Sequence, residues 1–237
     1  MADASEDWLY DTATDLDKTL VERLKTFPRE PDMSVYSVRS FFALGLRAWL
    51  KVFHRLRVVG RENLPAESCV IVCNHQSHLD TLAILSALPI RRLHRAFPAA
   101  ARDYFFETLP RLAVAAVIVN ALPFSRDVKG GQSLRMCRAL LENPGNVLIL
   151  FPEGTRSSTG ELGRFKPGIG SIVASNPVPV VPCRLDGAHR AWPKGGLPRP
   201  RRVTLRIGEP VSFGHRPRGK ESATQIASEL EQIVRAL

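Results

Sequence analysis

Residues 69–80 read CVIVCNHQSHLD. A short apolar run rich in β-branched residues is the pattern of a strand buried on both faces. Directly after it, Ser77 and Asp80 stand at the first and fourth places of a capping box variant, which opens a helix. The segment therefore predicts a strand-to-helix handover, with His75 emerging where the strand ends.

Working outward, the same alternation repeats. Further strands are expected in RLRVVG (55–60), LAVAAVIVN (112–120), NVLILF (146–151), VPVVPCRL (178–185) and RVTLRIG (202–208). Helices are expected at about 79–88, 99–108, 130–142, 167–175 and 220–236. ENPGN marks a turn, and WPKGGLPRPRR reads as a Pro/Gly/basic surface loop. With 237 residues the chain suits one sizeable α/β domain. The expected fold is α/β: a single domain, residues 56–237, with a central mostly parallel or mixed sheet flanked by helices.

Two segments precede that domain. Residues 1–32 form an acidic lead-in in which Trp8, Leu9, Leu16, Leu20, Leu24 and Phe27 suit a short helix stopped by Pro28 and Pro31. This lead-in has neither a basic n-region nor an apolar h-region, so no secretory signal is read there. Residues 33–55 read as an amphipathic helix. On a helical wheel Phe41, Phe42, Leu46, Trp49, Leu50, Val52 and Phe53 share one face, with Arg39, Arg47, Lys51 and Arg55 on the other. Arg47 and Lys51 interrupt the apolar run well short of the ~20 residues a transmembrane span needs. The expectation is a helix lying in a membrane interface, against a bland alternative in which it packs on the protein's own core.

Charge is unevenly spread. The lead-in holds nine acidic and four basic residues, so of a net +10 the remaining chain carries +15. Such an excess suits an anionic partner. With aromatic residues at 7% and no zinc-finger spacing, nucleic acid is disfavoured. Anionic phospholipid or a phosphorylated ligand is the better expectation. Cys69, Cys73, Cys137 and Cys183 form no CxxC pair and read as buried thiols of a reducing compartment.

Functional residues of open α/β sheets gather on loops after the carboxyl ends of strands. Three such loops are chemically loaded. In NHQSHLD (74–80), a carboxylate at Asp80 can hold one ring nitrogen of His75 and leave the other free as a base. The same loop offers a metal alternative in which His75, His78 and Asp80 are three ligands. In FPEGTRS (151–157), turn amides and the Arg156 guanidinium suit an anion, although the Walker spacing is absent. In NALPFSR (120–126), Arg126 follows a proline-stiffened turn.

The joint order of these blocks, with VPVVPCR (178–184), resembles the glycerolipid (1-acylglycerol-3-phosphate-type, lysophospholipid) acyltransferase family, over about residues 56–211. NHQSHLD matches its H-x₄-D block and FPEGTRS its third block residue for residue. NALPFSR resembles the second block, but Asn120, Ala121 and Leu122, with Pro123 before Phe124, replace its usual glycine and Ile/Phe-rich centre.

The resemblance implies transfer of a fatty acyl group from an acyl thioester, on CoA or acyl carrier protein, to a hydroxyl of a lysophospholipid or glycerol phosphate. His75 and Asp80 would be the catalytic pair. Arg126 and Arg156, with Glu153, Gly154 and Thr155 on the same loop, would bind the acceptor, and Pro182 would shape the pocket. Backbone amides at the start of the HQSHLD helix would be oxyanion donors. No metal and no cofactor beyond the donor is implied. The place of work would be the cytoplasmic face of a membrane, with the protein peripheral or monotopic. Two rivals stand beside this reading: a metal-dependent hydrolase using His75, His78 and Asp80, and a catalytically silent lipid-binding domain.

Overall fold

The computed structural model describes residues 19, 22, 24, 27, 32–101, 108–124 and 131–237. Of the six apolar residues expected in the lead-in helix only Leu24 and Phe27 are among the described residues, and the expected phosphate ligand Arg126 lies outside them.

Seven strands form one mixed sheet: β1 (Arg57–Val59), β2 (Cys69–Cys73), β3 (Ala96–Ala101), β4 (Leu122–Phe124), β5 (Val147–Leu150), β6 (Val180–Asp186) and β7 (Thr204–Ile207). Their spatial order is β1-β7-β6-β2-β5-β3-β4. All neighbours are parallel except β6 and β7. β2 lies at the centre, with Ile71 opposite Ile149 of β5 and Val181 of β6.

Alternation along these strands divides the core into two layers. Ile71, Cys73, Ile149, Val181 and Cys183 face one layer, packed under α1 (Met33–Val52) and α2 (Leu79–Ala87). Val70, Val72, Leu148 and Val180 face the other, under α4 (Gly131–Glu142), α5 (Gly168–Val173) and α7 (Lys220–Ala236). The four cysteines are free and buried. Desolvation pushes the thiols of Cys69 and Cys137 up to about 11 and about 12, so they behave as apolar core groups.

Two sequence expectations are overturned. The run 112–120 is no strand. It continues α3 (Leu109–Ala113) as a π-helical stretch over Val114–Ile118 and stops at Asn120, whose φ is +58°. A continuously apolar run carries no period by which to tell strand from helix, and here a distant side chain decides. Arg39 Nε donates to Val117 O at 2.8 Å and Nη2 to Ala116 O at 3.0 Å, capping carbonyls the helix end leaves open.

Conversely, 99–108 was expected as a helix, yet Ala96–Ala101 is strand β3, and residues 102–107 lie outside the described residues. Pairing with β5 and β4 outweighs the alanines' helix preference. Ala96 to Pro98 pair with β5, and Ala99 to Ala101 pair with β4. Pro98, which has no N–H to give, thus sits where the strand changes neighbours.

The faces of α1 also differ from the wheel reading. Asp32 caps the helix, its Oδ1 accepting from Ser34 N at 2.8 Å and Val35 N at 3.0 Å. Arg39 is buried rather than solvated, and it shares the inward face with Leu46 and Leu50. Burial lowers its pKa from the usual 12.5 to about 10. Outward instead lie Met33, Val38, Phe41, Phe42, Leu44 and Val52, all exposed. Among the described residues no helix is long and apolar enough to cross a membrane.

Candidate active site

The site is built where β2 passes into α2. Asn74 fixes the end of the strand: its amide donates to Leu185 O at 3.0 Å and its carbonyl accepts from Leu185 N at 2.7 Å, extending the β2–β6 ladder through a side chain. The chain can then leave the sheet at His75 with its neighbour still paired.

Asp80 sits one turn into the site and is fully buried. Three donors converge on its Oδ2: Gln76 N at 2.5 Å, Ser77 N at 2.8 Å and His75 Nδ1 at 2.8 Å. Ser77 completes the reciprocal cap by accepting from Leu79 N at 3.2 Å, while its hydroxyl donates to Trp192 O at 2.6 Å. The helix itself begins at Leu79, one residue later than a Ser77 cap implies. With Nδ1–H committed to a carboxylate, the basic ring nitrogen of His75 is Nε2. The ring is 22% exposed and stacks on Phe151, centroids 4.2 Å apart.

Amides at this turn were expected as oxyanion donors. Three of them have partners within the protein: Gln76 N and Ser77 N serve Asp80, and His75 N donates to Glu153 Oε1 at 2.7 Å.

The second loop docks on the first. Glu153 is buried, and its other oxygen accepts from Gly163 N at 2.9 Å, so both oxygens hold backbone rather than face outward. Desolvation raises its pKa, and the two amide bonds oppose that shift. Ser157 N donates to His75 O at 2.8 Å, closing the loops together. Gly154 turns with φ +74°, and a Cβ there would lie 2.6 Å from Lys166 Nζ. Lys166 is thus a cation beside this turn that the sequence reading missed; its one signal was its place at the end of the glycine-rich stretch 160–168. Thr155 is exposed at the tip.

Arg156 points back to the first loop. Its Nη1 donates to His78 Nε2 at 2.5 Å. His78 must be neutral to accept, and burial, then the charges of Arg156 and His75, lower its pKa, against the opposing effect of Asp80. Trp192 backs the pair, its ring 5.4 Å from His78 and 6.3 Å from Trp49 of α1. His78 is therefore not gathered with His75 and Asp80 as a ligand trio, and among the described residues no group of three His, Cys, Asp or Glu side chains could hold a metal ion.

The fold brings together His75, Asp80, Glu153, Gly154 and Arg156. Pro182 it keeps apart: the residue is buried in β6 opposite Val72, its ring next to Gly208 near Leu237 on the α7 side, whereas α2 covers the other face.

Comparisons with known proteins agree with this architecture. The Acyltransferase family model matches residues 55–186. A chloroplastic 1-acyl-sn-glycerol-3-phosphate acyltransferase of Brassica napus is 33% identical over 66% of this chain and 46% of its own length. One of Bacillus subtilis is 28% identical over 83% of this chain and 95% of its own. The plant and algal relatives are longer, and the chain spans about half of their length. The crystal structure of the 1-acyl-sn-glycerophosphate (LPA) acyltransferase PlsC from Thermotoga maritima superposes with a TM-score of 0.64 and 26% identity, covering 92% of this chain and 87% of that one. With the H-x₄-D and FPEGTRS loops docked on each other at the end of β2, and a family match over more than half its length, the chain belongs to the acyltransferase family.

Proposed function

We propose that the protein transfers a fatty acyl group from an acyl thioester to the free hydroxyl of a lysophosphatidic acid-type acceptor. The observation that carries this reading is the His75 Nδ1–Asp80 Oδ2 bond of 2.8 Å, which leaves Nε2 basic at the mouth of the site. An alcohol is a poor nucleophile near neutral pH, and a positioned base supplies what it lacks. As the hydroxyl oxygen attacks the thioester carbonyl, Nε2 takes its proton and Asp80 stabilises the imidazolium. The tetrahedral intermediate collapses with rupture of the C–S bond, and the imidazolium returns the proton to the departing thiolate. Products are an ester and a free thiol. No side chain need be acylated, because the acceptor is itself the nucleophile.

Arg156, with Lys166 beside the turn, supplies the cationic wall for the acceptor phosphate. CoA and acyl carrier protein both present the required thioester. The apolar outward face of α1 would seat the protein on the cytoplasmic face of a membrane without crossing it.

Thiol release from long-chain acyl-CoA and from acyl carrier protein, against a panel of lysolipids and glycerol 3-phosphate, tests this. Release should require acceptor, survive a chelator and fall by about 10²–10⁴-fold in His75→Ala. Acceptor-independent release, or full activity in the variant, would sink the dyad mechanism.

A further inference from the structure

A second cationic feature lies at the far end of α2. Leu88 follows Asp80 by eight residues, about 12 Å along a helix. There, a cleft of about 480 Å³ opens between α1, the segment after β1 and the 3₁₀ turn Ile90–Arg95, and its lining carries Arg47, Arg61, Arg91 and Arg92. The lining contains no carboxylate. Glu62 and Glu67 flank the cleft in sequence, but among the described residues neither forms an ion pair with these arginines.

Backbone carbonyls hold two of the guanidinia. Arg47 donates to Leu88 O, and Arg92 donates to Pro65 O and, at 2.8 Å, to Glu67 O. Neutral acceptors orient these cations without cancelling them. Arg47 Nε is buried with no partner, and the group carries the repulsion of Arg61 as well as the cost of burial. Two oriented guanidinia and two without a bond, lining one cleft with no ion-pair partner, suit a phosphate oxyanion.

Helical spacing says which phosphate. Arg47 follows Leu44 by three residues and precedes Lys51 by four, so the cleft borders the exposed apolar arc of α1 directly. Phe41, Leu44 and Val52 on that arc are 76%, 54% and 78% exposed. An apolar face edged by an arginine cleft has the apolar and cationic parts that the acyl–headgroup boundary of an anionic bilayer calls for. We infer that the Arg47–Arg61–Arg91–Arg92 cleft binds the phosphate of an anionic phospholipid headgroup and so sets how the protein sits on its membrane. This rests on the membrane part of the proposed function and not on its chemistry.

The experiment is vesicle flotation of the full chain, as wild type and as His75→Ala. Phosphatidylcholine vesicles are compared with vesicles that also hold phosphatidylglycerol. The variant is Arg61→Gln/Arg91→Gln, whose side chains form no bond or ion pair within the described fold; Arg47→Gln is a second, more invasive one. Expected is a loss of about tenfold or more in partition to the anionic vesicles, from roughly 1 kcal/mol per surface arginine. Partition to neutral vesicles and thiol release in detergent should stay as in wild type. Equal partition of wild type and variant on anionic vesicles overturns the inference, as does equal loss on both vesicle types. Two further outcomes also overturn it: tight binding of inorganic phosphate with vesicle binding unaffected, and a loss confined to turnover of acyl carrier protein. His75→Ala should bind vesicles as wild type does, so failure of the chemical mechanism would leave this result intact.

Discussion

His78 Nε2 accepts a hydrogen bond from Arg156 Nη1 at 2.5 Å, joining two loops whose residues stand 78 positions apart. A histidine beside the catalytic pair thereby holds the guanidinium of the other loop. His78→Phe should raise KM for the phosphorylated acceptor by about 5–30-fold with a smaller change in kcat, the loss of one hydrogen bond to a charged group. Equal losses in kcat and kcat/KM would instead assign His78 to the chemical step.

The same pair carries a pH dependence. The folded pKa of His78 lies below its ordinary value of 6.5. Its contact with Arg156 is therefore complete above that value and is lost as pH falls through the lower folded value, where two cations would face each other. Acceptor KM should rise on this acid limb in wild type. In His78→Phe, KM should start high and stay flat there; an unchanged limb would remove His78 as its source.

Asp80→Asn keeps the size of the side chain but removes the charge that faces His75 Nδ1. With Gln76 N and Ser77 N also donating to this residue, its amide must keep oxygen toward them, which leaves no charge to stabilise the imidazolium. Thiol release should fall by about 10²–10⁴-fold with acceptor KM little changed. Retention of activity within a few-fold would show that the carboxylate is not needed.

Glu153 holds His75 N and Gly163 N. Glu153→Ala leaves both amides without it, at about 1–3 kcal/mol for each buried donor unsatisfied. Urea unfolding should show a lower midpoint, and activity should drop because the backbone of His75 loses its tie. A variant as stable as wild type would mean that water replaces the carboxylate.

Arg39 caps Ala116 and Val117 from the inner face of α1. Arg39→Leu should destabilise by about 2–4 kcal/mol, since two charge-assisted bonds are lost from a buried place. Thermal unfolding checks it, and a neutral result would place the helix end in water.

What the sequence determined by itself is local. The members of the dyad stand five positions apart across one strand-to-helix handover, so the spacing of His75, Ser77 and Asp80 already dictates the cap and the shared carboxylate. Strands β2, β5 and β6 were legible because each is a short apolar run bounded by turn residues. The tertiary structure alone decided the rest. A run of alanines and valines at 112–120 becomes helix because Arg39 caps it, and an alanine segment at 96–101 becomes strand because β4 and β5 flank it. Glu153 turns inward and Arg156 turns to His78 through contacts between residues 78 apart. Spacing along a chain encodes neighbours within a turn or two, whereas hydrogen-bond partners brought together by packing leave no period in the sequence to read.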